Sequence, residues 1–186
     1  MISRYIKLYN NHYKLSFEIE FMAKKRLQFY VASPYGFYEA CRTFMNKTLL
    51  HQIRRVGIPV NPWELTDQIE IDSVLSLPDG KRKLAALHTL DMTIGKRNQS
   101  AIRACDGIVA VLDGSDVDSG VAAEVGYGSA LGKPILGYRN DFRLASENLG
   151  TKVNLQVQYF IEETGGKIVQ DVYQIPDALR ELFLID

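Results

Sequence analysis

DGIVAVLDG, residues Asp106 to Gly114, is the stretch on which the fold turns. Ile108 to Leu112 is an unbroken apolar run between turn-forming residues. A strand with one wet face would alternate apolar and polar residues, whereas a short continuous run marks a strand covered on both faces. Downstream, Ser119 to Leu131 reads as a helix and KPILGY, Lys133 to Tyr138, as the next strand. Upstream, LQFYVA (Leu27 to Ala32) is a β-rich run that stops at Ser33-Pro34. Phe37, Cys41, Phe44, Met45, Leu49 and Ile53 then recur at near-helical spacing until Gly57, and IPVNP follows as a short strand.

The segment from Trp63 to about Lys83 reads as irregular, with Pro78-Asp79-Gly80 a turn. KLAALHTLDMTIGKRNQSAIRAC reads as helix in two pieces around Gly95. A helix from about Asn154, the strand GKIVQ and the final DALRELFLI complete the alternation. Strand and helix alternate throughout, so the expected architecture is α/β, a parallel sheet with helices on both faces. Ligands of such sheets gather beyond the carboxyl ends of the strands. Three loops should meet there: Ser33 to Phe37, Asn61 to Thr66 and Asp113 to Gly120.

The 186 residues suit one domain with a buried core. Residues 22–186 are assigned to that domain and residues 1–21 to a peripheral N-terminal arm, which has neither the apolar core nor the cleavage site of a signal peptide. With 22 basic and 22 acidic residues, nothing in the overall field points to nucleic acid or a membrane surface, and no apolar run is long enough to span a bilayer. The composition is ordinary for a cytoplasmic globular protein. Two cysteines in apolar contexts read as reduced core thiols, and three scattered histidines give no metal-site spacing. SPYGF after the first strand lacks the glycine pattern of a dinucleotide fingerprint, and no phosphate loop is present, so neither standard nucleotide cofactor site is expected.

DSGVAAEVG places Asp118 and Glu124 six residues apart. Six residues along a helix rotate through roughly 240°. The two acids therefore converge only if Asp118 lies in the loop and Glu124 in the first turns of the helix, where the positive end of the helix should keep a carboxylate ionised. Ala122, Ala123 and Gly126 leave room for a substrate or another backbone. The plainer alternative is a capping acid followed by an exposed helical glutamate.

YVASPYGF, CDGIVAVLDGSDVDSGVAAEVGYGSALGKPI and VNLQVQYF together resemble the nucleoside 2-deoxyribosyltransferases, from about Leu27 to the C-terminus. The D-x-G-x-x-x-E-x-G block after a strand is the most specific part. The resemblance implies a flavodoxin-like (Rossmann-like) fold and a cofactor-free double displacement. Glu124 matches the nucleophile that takes the sugar of a 2′-deoxynucleoside as an ester, and a second nucleobase, or more slowly water, then releases it. Asp118 matches the second acid and Tyr30 the tyrosine that orients the nucleophile. Asn154 matches an asparagine contributed to a neighbouring subunit's site, which implies a homo-oligomer, and Gln156 a residue beside the sugar or base. Trp63 and Glu64 fall where the base-recognition loop begins. Ser33, Phe37 and Gly120 complete the expected binding set. Asn98, eight residues before Asp106, occupies a place where one branch carries an aspartate that protonates the leaving base, a role asparagine cannot fill. Two alternatives share the scaffold: a nucleoside 5′-monophosphate N-glycosidase, and a nucleoside-binding module without chemistry.

Overall fold

The computed structural model describes residues 26–143 and 149–185; the expected arm at residues 1–21 lies outside them. Among the described residues, five strands form one parallel sheet: β1 (Gln28–Ala32), β2 (Ile58–Val60), β3 (Gly107–Val111), β4 (Ile135–Tyr138) and β5 (Ile168–Val169). Their order is β2-β1-β3-β4-β5. This is the flavodoxin-like winding, whose order reverses between β1 and β3, and a crevice opens at that point beyond the strand ends.

Period-two alternation distributes the core. Phe29, Val31, Val109, Val111 and Leu136 pack on one face against Leu49, Leu50, Ile53, Ile175 and Leu179. Those partners come from Met45–Leu49, the π-helical continuation of α1 (Glu39–Phe44), from α2 (Leu50–Arg54) and from α7 (Ile175–Leu182). Tyr30, Ala32, Ile108, Ala110 and Ile135 point to the other face and meet Ile102, Val121, Val125, Val157 and Ile161. Those belong to α4 (Lys81–Ala104), α5 (Ser119–Ala130) and α6 (Leu155–Glu163). The register Tyr30↔Ile108 sets Tyr30 beside the central strand, on the face that α5 covers.

Three expectations need correcting. The segment after Trp63 is not irregular: Pro62–Glu64 is a 3-10 turn and α3 (Gln68–Leu75) is a helix capped by Asp67, whose side chain accepts from the Ile69 amide. The helix around Gly95 is not broken. It runs through 24 residues, and a side chain at Gly95 would meet nothing within 4 Å, so the glycine faces open space and its cost of about 1 kcal/mol is absorbed. The close approach in α5 occurs at Gly128 rather than Gly126. A Cβ at Gly128 would lie 2.2 Å from Ile108 Cδ1, whereas at Gly126 it would meet only Phe160 at 3.4 Å. Gly128 thus seats α5 against β3. No helix among the described residues is long and apolar enough to cross a membrane.

Candidate active site

The N-terminal end of α5 carries the two acids, one at the cap and one within the helix, as their convergence requires. Asp118 is the N-cap, its Oδ1 accepting from the amides of Gly120 (2.9 Å) and Val121 (3.1 Å), which satisfies two of the helix's orphan donors. Glu124 lies in the second turn, one residue from the buried stripe Val121, Val125 and Gly128. Its Oε1 accepts a hydrogen bond of 2.5 Å from the Tyr30 hydroxyl. Tyr30 is fully buried, so it holds the carboxylate from beneath.

Electrostatics overturns one expectation at this position. Burial pushes the Glu124 carboxyl up to about 7; the Tyr30 hydrogen bond opposes this, and the charge of Asp118 adds to it. Desolvation therefore outweighs the helix terminus, and the group is poised near neutrality rather than ionised throughout the physiological range. Burial, then the charge of Glu124, holds the Tyr30 hydroxyl far above the ordinary phenol range, so it remains a donor.

Glu124 and Asp118 line a cavity of about 500 Å³ at the crevice between the ends of β1 and β3, together with Ser33, Phe37, Trp63, Asn98 and Gly120. This volume lies within the usual range of small-molecule sites. One wall is aromatic and built by the backbone around it. Asn61 caps the Pro62–Glu64 turn by accepting from the Trp63 amide, and the Trp63 indole donates to the carbonyl of Ser33 at 3.2 Å. Phe37 meets the indole edge-on at 4.6 Å. Trp63 is 41 % exposed, so the indole rests on protein yet remains open to a ligand.

Gly36 makes that seat. A Cβ there would lie 2.1 Å from Trp63 Cε2, and so the indole lies directly over the glycine backbone. Gly36→Ala is expected to push the ring out, at an overpacking cost of about 1–3 kcal/mol if it stayed. Trp63 is the chain's one tryptophan, so a red shift of its fluorescence, with an unchanged far-ultraviolet circular dichroism spectrum, checks this result.

The loop carrying Asp118 is fastened from behind by residues that sequence reasoning missed. Asp113 accepts from the Tyr35 hydroxyl and from the amides of Asn140 (2.7 Å) and Asp141 (2.8 Å), which ties together the segments leaving β1, β3 and β4. Arg139, only 2 % exposed, donates to the carbonyls of Leu112, Gly114 (3.1 Å) and Arg143 (2.7 Å). Pro62 and Ser119, from two of the loops expected to meet here, also line the cavity, as do Asp91, Ile94 and Val121, which were not foreseen. The signal for Asp91 and Ile94 was their spacing from Asn98, i, i+3 and i+7 on one helix face, which a break at Gly95 would have hidden.

Three expected binding residues lie outside this lining. Glu64 accepts from Asn61 Nδ2 at 3.0 Å and so supports the aromatic turn instead. Asn154 caps α6 by accepting from the Gln156 amide (3.0 Å), and the side chains of both are exposed away from the cavity.

A protein-family model described as nucleoside 2-deoxyribosyltransferase matches residues 29–156, a span that contains every cavity residue. No curated protein matches the chain. Among solved structures, a conserved protein from Enterococcus faecalis V583 superposes with a TM-score of 0.56 at 22% identity, covering 84% of this chain and 98% of that one. The 2-deoxyribosyltransferase of Bacillus psychrosaccharolyticus superposes with a TM-score of 0.54 at 18% identity, covering 81% and 90%. At such identities these likenesses concern the fold.

Proposed function

The chain belongs to the nucleoside 2-deoxyribosyltransferase family, and from that premise we propose that it transfers 2-deoxyribose between nucleobases through a deoxyribosyl ester of Glu124. One observation carries the reading: a glutamate held by a buried tyrosine and poised near neutrality opens onto a cavity with an aromatic wall. In the first step an ionised Glu124 oxygen bonds to C1′ of a 2′-deoxynucleoside while the C1′–N bond breaks and its electron pair leaves with the base. Carboxylates suit such an oxocarbenium-like centre. The base stacks on Trp63 and Phe37 while Asp118, its Oδ1 fixed by the cap, offers Oδ2 to the sugar. The proton the leaving base needs comes from Asp118 or solvent, since Asn98 has none to give. A second base then attacks C1′ and restores the carboxylate, and water does so more slowly.

The monophosphate reading fits less well, because a phosphate asks for charged or bidentate donors and no lysine or arginine is among the residues lining the cavity. A binding module without chemistry leaves the Tyr30–Glu124 pair unexplained. Incubating the protein with 2′-deoxynucleoside and a different free base, and following both nucleosides by chromatography, tests the proposal. Base exchange faster than hydrolysis is expected; release of base from the 5′-monophosphate alone would replace this reading with the glycosidase.

The position of Asn154 supports a homo-oligomer. It lies outside its own subunit's cavity at the start of α6, where Leu155 and Tyr159 are exposed apolar side chains. Asn154→Ser retains an N-cap yet shortens the reach. It is expected to lower kcat/KM roughly tenfold, the size of one hydrogen bond to substrate, with the elution volume of an oligomer unchanged. A monomer on size-exclusion chromatography with full exchange activity would exclude the shared site.

A further inference from the structure

Asp91, Ile94 and Asn98 form one stripe of α4 along the cavity, spanning about 10 Å of helix. Both polar members carry side-chain oxygen, Asp91 as an exposed residue and Asn98 as a half-buried one. Asn98 Oδ1 is the buried side-chain polar atom without a hydrogen-bond partner among the described residues, and native folds rarely leave such an acceptor unpaired. Asp91 makes no hydrogen bond or ion pair among the described residues. The cavity's other carboxylates are both engaged, Asp118 in the helix cap and Glu124 with Tyr30. Arg97, on the same helix, is committed to Glu70 at 2.8 Å and Thr66 at 3.2 Å. Among the described residues lining the cavity, the α4 wall therefore offers acceptors with no lysine or arginine to balance them.

A flat ring stacked on Phe37 and Trp63 turns its edge to the remaining lining. On the reading of this cavity as a nucleoside site, we infer that Asp91 and Asn98 select bases by their exocyclic amino groups, so that amino-bearing bases are taken in preference to their carbonyl counterparts. Adenine and hypoxanthine, or cytosine and uracil, differ by an amino group in place of a carbonyl oxygen. The amino group donates to this wall, whereas the carbonyl sets an acceptor against acceptors. An asparagine amide can turn and donate, whereas a carboxylate lacks the amide's N–H donors, so Asp91 fixes the sign of the preference.

Two measurements test this. In acceptor competition, adenine over hypoxanthine and cytosine over uracil are expected to be favoured roughly ten- to a hundredfold in kcat/KM, the range for a hydrogen bond to a charged group. Asp91→Asn, which gains a donor at the same volume, should reduce both ratios to within a few-fold. In calorimetry with Glu124→Ala, which removes the chemistry, 2′-deoxyadenosine should bind more tightly than 2′-deoxyinosine, and adding Asp91→Asn should erase the difference. Equal or reversed preference, or a preference that survives Asp91→Asn, overturns the inference. Exchange without preference strikes at the inference alone, and binding preference without exchange strikes at the transfer reaction alone. Absence of both binding and exchange overturns the two together.

Discussion

Glu124→Ala is expected to lower base exchange by at least about a thousandfold, because the variant has no atom to bond to C1′ and the remaining cavity supplies only binding. The same loss is expected of Glu124→Gln, which still accepts from the Tyr30 hydroxyl, so the defect reports the missing carboxylate and not a collapsed site. Chromatography of both nucleosides over a long incubation measures it. The glutamine variant carries a second, opposite signature. Burial raises the Glu124 carboxyl from 4.5 to about 7, so between those values the native state holds a proton that the unfolded chain has released. Stability contributed by this group is full below pH 4.5 and is lost as pH rises through about 7. Glu124→Gln removes that loss. It should be more stable than the parent by up to about 3 kcal/mol at pH 8 and no more stable at pH 4, as read by denaturant unfolding at the two pH values. An active site that destabilises its own fold is the familiar trade-off between activity and stability.

Tyr30→Phe comes second in size. The phenyl ring keeps the packing of a fully buried position in the sheet, but the donor to Glu124 disappears. That hydrogen bond opposes the upward push of burial on the carboxyl. Without it a smaller fraction is ionised at neutral pH, and the side chain loses its orientation. A hydrogen bond to a charged group contributes about 1.5–3 kcal/mol, so kcat/KM at pH 7 should fall roughly ten- to a hundredfold. The pH profile separates this from a general defect. In the parent, kcat/KM is expected to rise with pH through about 7 and then level. In Tyr30→Phe the rise should move to higher pH, so that the deficit narrows in alkaline buffer. A deficit constant across the whole profile would assign Tyr30 to packing alone.

Much of this arrangement is legible before any coordinates. The apolar run at β3 and the acid-to-acid spacing after it depend only on local periodicity, and the cap at Asp118 follows from them. The meeting of the loops after β1, β2 and β3 follows from a parallel sheet. What sequence does not carry is anything set by distant packing. The continuity of α4 through Gly95 rests on that glycine facing open space, and it is this continuity that brings Asp91 and Ile94 onto the wall with Asn98. Arg139 reads as an ordinary basic residue after a strand, yet the fold buries it under the carbonyls of the Asp113 loop. Glu124 shows the limit most clearly. A helix start argues for an ionised acid, but its titration is decided by desolvation from side chains far away in sequence.

The covalent step is the centre of the account, and mass spectrometry tests it most directly. After incubation with a 2-fluoro-2-deoxynucleoside, whose fluorine slows release of the sugar, the intact protein should gain the mass of one fluorodeoxyribosyl group. Peptide mapping should place it on Glu124, and Glu124→Gln should gain nothing. An adduct on another residue, or complete turnover of the natural deoxynucleoside with no adduct on the peptide bearing Glu124, would contradict the account.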